Sequence, residues 1–124
     1  MRALAVLAAI VCLGACGRPD PDICHVTPAG TYIWVGEHAD AYEDIVRLIR
    51  AERFDDLIKA APNPRAALSG RPRVCKPPEA SQRRLDITYP SRRPDRDVGA
   101  VLELHLGRDG RVEVAEFYVV PLAL

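Results

Sequence analysis

Three histidines, three serines and four cysteines carry the nucleophilic and ligating chemistry of this chain beyond its carboxylates. His38 stands next to Glu37 and two residues before Asp40, a spacing that suits an ion site or an acid–base pair. The same Asp40 fits a helix start, which leaves His38 as an exposed flank. His105 lies in an alternating strand pattern and is expected to face Glu113 across a hairpin. Such a cross-strand pair stabilises by roughly 0.2–1 kcal/mol and needs no catalytic role. His25 reads as a solvated loop residue. Ser69, Ser81 and Ser91 lie in neither a GxSxG nor an SxxK context, so serine catalysis has no support. Asp55-Asp56 reads as the solvated flank of a helix. There is no phosphate loop and no dinucleotide fingerprint. The expectation is a protein without catalytic residues, cofactor or metal.

Cys24 and Cys75 lack the paired CxxC spacing of a zinc site. In an oxidising compartment an even pair reads as one disulfide; two buried free thiols are the alternative. Arginine is the other residue with a distinctive arrangement. Arg83-Arg84 and Arg92-Arg93 flank a strand pattern ending at Tyr89. Guanidinium forks match carboxylate and phosphate. These four are the expected contact residues for an acidic envelope protein or anionic headgroups. The alternative is a solvated loop that balances acidic helices within the same domain.

The elements that must position these groups follow from patterning. Thr31 to Val35 is β-branched and aromatic between Gly30 and Gly36, a short strand. Asp40 and Glu43 have the spacing of a capping box. Tyr42, Ile45, Val46 and Ile49 make one helical stripe; Phe54, Leu57, Ile58 and Ala61 make a second. At about 100° per residue the stripes are rotated by roughly 120°, so one straight helix cannot bury both. A break is expected within Arg50 to Arg53, and Pro62 and Pro64 end the second helix. Leu85 to Tyr89 alternates as a strand.

Leu102, Leu104 and Leu106 alternate up to Gly107-Arg108-Asp109-Gly110, and Val112 and Val114 alternate after it. A three-residue loop, Arg108 to Gly110, sets Leu106 opposite Val112 and Leu104 opposite Val114. Continued, that register sets Glu116 opposite Leu102 and Phe117 opposite Val101. The base of the hairpin would then be apolar on both faces and need a cover.

The 124 residues hold 17 basic and 17 acidic side chains, which excludes a global field for nucleic acid. The balance hides a division. Residues 62–97 carry nine basic and four acidic groups and seven of the eleven prolines, and are expected to be mostly loop. No apolar run reaches the roughly 20 residues of a spanning helix.

Met1-Arg2, the apolar run Ala3 to Leu13 and the small residues after it have the layout of a secretory signal. Leu13-Gly14-Ala15-Cys16 resembles the lipobox of bacterial lipoproteins. The resemblance implies cleavage before Cys16, lipidation of its thiol and attachment to a membrane. Gly17 after the cysteine, where the family's inner-membrane members have Asp, implies the outer membrane. The domain reading is then residues 1–15 as signal, 16–30 as lipidated linker and 31–124 as one small domain.

That domain is expected to be α+β, with one or two short helices packed on a three- to four-stranded antiparallel sheet. The order of lipidated cysteine, two helices and three strands is similar to the SmpA/OmlA lipoproteins of outer-membrane assembly, with Pro64 as the matching residue. Residues 99–112 also look somewhat like the end of a TonB-type domain. The function expected is a lipid-anchored periplasmic binding or envelope-assembly module. An inhibitor or immunity lipoprotein and a small hydrolase are the alternatives. A pocket joining His38 or His105 to acidic groups would favour the hydrolase.

Overall fold

The computed structural model describes residues 24–68, 74–75, 82–92 and 98–121. Strands β1 (His25–Val26) and β2 (Tyr32–Val35) come first. A 3-10 turn, Ala39–Tyr42, runs into α1 (Glu43–Arg50), and α2 (Phe54–Lys59) follows. Then come β3 (Arg65–Leu68), β4 (Arg83–Tyr89), β5 (Val98–Leu106) and β6 (Val112–Pro121). The six strands form one sheet in the order β1-β2-β6-β5-β4-β3.

The fold is α+β with two short helices, and its sheet is larger than the three or four antiparallel strands expected. Two features account for the difference. The edge strands β1 and β3 are two and four residues long and show no apolar alternation. The other is the pairing of β2 with β6, which is parallel, Tyr32 to Val114 and Val35 to Phe117. A parallel pair needs a long crossover, and here both helices and the β3–β5 meander lie between its strands. Residues 24–30, expected as linker, contribute β1 and the buried Cys24 and Thr27.

The two helical stripes do separate. Arg53 donates its amide to the Leu48 carbonyl, and Glu52 takes a left-handed φ of 57° at the break. Tyr42, Ile45 and Ile49 from the first stripe and Phe54 and Leu57 from the second are buried in one core. The capping box does not form. Asp40 lies inside the 3-10 turn, and neither helical start has a side-chain cap. The turn leads straight into α1, so backbone carbonyls one turn earlier stand where a capping side chain would.

The hairpin loop is the one expected, with Gly110 at φ +80° and Leu106 opposite Val112. One residue later the register changes. His105 pairs with Val114, and Glu113 is the extra residue of a β-bulge. A bulge of one residue turns every later side chain to the other face. Leu104 therefore pairs with Ala115 and Leu102 with Phe117, while Glu116 faces Glu103. The expected pairs His105–Glu113, Leu104–Val114, Leu102–Glu116 and Val101–Phe117 are all replaced.

The bulge gives each face its character. On the helix side, Leu85, Leu104, Ala115 and Ile33 lie in one row across four strands. Ile87, Leu102, Phe117 and Val35 form the next. The Phe117 ring meets Tyr42 edge-on at 5.7 Å and Tyr89 at 6.1 Å. The Tyr42 hydroxyl donates to the Pro90 carbonyl at 2.9 Å, tying the helical layer to the end of β4.

Candidate functional site

The face turned away from the helices holds the unusual chemistry. One row runs Arg65, Asp86, Glu103, Glu116, Trp34 from β3 to β2. Its neighbour runs Ala67, Arg84, His105, Val114, Tyr32. Three carboxylates thus stand side by side on adjacent strands, with an imidazole and a guanidinium in the next row. Carboxylates directly opposite across strands repel. Burial makes this costly unless donors meet them.

The donors are specific. The amides of Val74 and Cys75 donate to Glu116 Oε2 at 2.7 and 3.3 Å. The Tyr118 hydroxyl donates to Glu103 Oε2. Arg84 Nε donates to Asp86 Oδ1 at 2.8 Å, and its Nη1 reaches the Leu68 carbonyl at 3.4 Å. His105 Nε2 lies 3.5 Å from Glu103 Oε1. Glu103, His105 and Glu116 are 3%, 0% and 3% exposed.

A small second cluster of Cys24, Cys75 and Val114, flanked by Tyr32 and Trp34, roofs one end of this face. The two cysteines stand at disulfide distance with Cα atoms 5.6 Å apart, inside the range a bridge requires. The Cys75 segment carries the amides that hold Glu116. The cover expected over a Val101–Phe117 pair at the hairpin base is absent among the described residues, because Phe117 turns to the helix side: this segment covers the Glu116 end, and the Val101–Tyr118 end opens to solvent.

That opening is a groove of about 430 Å³. Arg65, Arg84, Asp86, Thr88, Val101 and Tyr118 line it. It joins guanidinium, carboxylate and hydroxyl groups over a short apolar floor.

The four arginines singled out by sequence do not share one surface. Arg83 and Arg84 project to opposite faces of β4, and Arg84 is buried. Arg92 lies on the helix side. It grips Asp44 with two bonds, Nη1–Oδ1 at 2.5 Å and Nη2–Oδ2 at 3.2 Å, and stacks 5.0 Å above the Tyr42 ring. The hydrogen bond from Arg92 holds the Asp44 carboxyl below its usual range, and Asp44 in turn raises Arg92. Burial raises the Tyr89 hydroxyl above its usual value. Arg93 and Cys16 lie outside the described residues. His38 is 3.9 Å from Glu37 with both side chains in solvent, so that cluster encloses nothing. Read from the sequence alone, His105 pairs with Glu113, and the reading misses Glu103 and Glu116. The signal that pairs them is the bulge, which has no glycine to mark it.

No family model, curated protein or solved structure matches this chain. Among the described residues no helix is long and apolar enough to cross a membrane.

Proposed function

We propose that this chain is a lipid-anchored, non-catalytic binding or assembly module of the bacterial envelope. In this reading the Leu13-to-Cys16 motif supplies the anchor at the periplasmic face of the outer membrane. The Cys24–Cys75 pair suits that oxidising compartment. One observation carries the binding role. The accessible concavity is separate from the buried acid–imidazole set, and its lining is guanidinium, carboxylate and hydroxyl. A substrate in the groove would meet groups that recognise and orient, while His105 stays beneath the sheet's cover.

The partner is an acidic protein segment or headgroup, met first by the exposed Arg65 at the groove rim. Arg84 is held by Asp86, so its role in the groove is to shape it. Arg83 projects from the opposite face of β4, and Arg92 is committed to Asp44. A photocrosslinker placed at the exposed Thr88 on the groove wall, in native membranes, tests this. The expected result is a salt-sensitive crosslink to one envelope component, lost in Arg65→Glu. The companion variant Cys16→Ser should leave the membrane fraction. Crosslinking that Arg65→Glu and salt leave unchanged removes the groove from the proposal. Retention of Cys16→Ser in membranes without detergent removes the anchor.

A further inference from the structure

We propose that Glu103, His105 and Glu116 together bind one divalent transition-metal ion of the zinc type. Their ligand atoms, an imidazole nitrogen and two carboxylate oxygens, all lie within 4.8 Å of one another. Ligands of a tetrahedral ion with bonds of about 2.0–2.2 Å stand about 3.4 Å apart. The separation of His105 Nε2 from Glu103 Oε1, 3.5 Å, matches that spacing and is long for a direct hydrogen bond. The two edges to Glu116 lie within the same 4.8 Å, a span that small side-chain rotations would close.

The donor set selects the ion. Imidazole with carboxylate suits zinc, iron and their neighbours, whereas calcium asks for six to eight oxygens and magnesium for an octahedron of them. Placement also favours a site over a chance gathering. The three residues sit on the central strands β5 and β6, which hold their backbones in fixed register. Outer donors orient both carboxylates: the Tyr118 hydroxyl on Glu103, and the Val74 and Cys75 amides on Glu116. A dication between two opposed carboxylates turns their repulsion into attraction. Three protein ligands leave one coordination position, and with all three nearly solvent-free that position is covered. The ion would therefore be structural, linking β5 to β6 and, through Glu116, to the Cys75 segment.

The test uses the untagged full chain in detergent, stripped with a chelator and dialysed. Zinc titrated by calorimetry should bind at one per chain and raise the melting temperature as its concentration increases. Calcium and magnesium at the same concentrations should do neither. Cobalt should give the absorption of a tetrahedral nitrogen–oxygen site. His105→Gln and Glu103→Gln should each weaken zinc by more than about a hundredfold, since loss of an outer-shell partner alone costs 10–100-fold. His25→Gln/His38→Gln removes the two exposed imidazoles and should bind as the parent does. The proposal is overturned if the folded parent takes up neither zinc nor cobalt. It is equally overturned if binding disappears in the His25/His38 variant. Should His105→Gln fail to fold, the cobalt spectrum of the parent still decides. An octahedral, all-oxygen spectrum there rejects the site.

Discussion

On one side of the sheet Ile87, Leu102, Phe117 and Val35 lie in a row; on the other, the adjacent residues Asp86, Glu103, Glu116 and Trp34 do the same. The same four strands build both rows, and both are buried through their centre. The apolar row is held by area and shape, which tolerate approximate fit. The polar row is held by particular donors at particular atoms, and losing one leaves a charge or an amide without its partner. The helix-side face therefore supplies stability, and the open face supplies chemistry whose cost that stability offsets.

Breaking the apolar face should have the largest effect. Phe117→Ala removes a ring packed between Tyr42 and Tyr89 and should cost about 3–5 kcal/mol. Urea unfolding followed by tryptophan fluorescence measures it. Opening the roof of the polar face comes next. Cys24→Ser/Cys75→Ser should cost about 4 kcal/mol if the bridge closes its 51-residue separation. It should also speed amide exchange at Val74 and Cys75.

Within the polar row, Glu116→Ala leaves both of those amides without their acceptor and should cost about 1–3 kcal/mol in chelator. Glu116→Gln keeps an acceptor oxygen and should cost less. Equal losses for the two would mean that the amides find water instead. The smallest effect is expected at the surface. Asp44→Asn should cost under about 1 kcal/mol, because the pair with Arg92 is largely in solvent. The folded state lowers the Asp44 pKa from 3.8, so this contribution is complete above that value. It is lost as pH falls through the lower folded value. The stability difference between parent and Asp44→Asn, measured at neutral pH and near pH 2, should shrink toward zero.

How much of this was legible in the sequence depended on whether the governing signal was local. The helix break was, because two stripes out of phase by a third of a turn cannot share one axis. The hairpin loop was, because Gly107 to Gly110 demands a left-handed residue. The register beyond it was not. Glu113 is polar in either phase, so nothing in Val112 to Phe117 marks it as the extra residue. Phe117 supplies a global reason: with the bulge it reaches the core beside Tyr42. The carboxylate row was hidden by the same step, since Glu103 and Glu116 are 13 residues apart and meet only in the shifted register. β3 was hidden because its four residues are all exposed and its setting is rich in proline.

The parallel pairing of β2 with β6 also has a consequence in time. Tyr32 and Val114 are 82 residues apart, and β6 lies between β2 and β5 in the interior of the sheet. Loop-closure entropy must be met before so distant a pair returns any stability, which places such topologies among the slower folders. A chain emerging from its N-terminus can form α1, α2 and the β4–β5 hairpin while β2 has only the two-residue β1 on one edge and no strand on the other. That second edge stays open until residues 112–121 arrive. The order of synthesis thus sets an interval in which the strand that carries Tyr32 and Trp34 has one edge unpaired. A stop before Val112 would leave the sheet without an interior strand, not merely shorter by one.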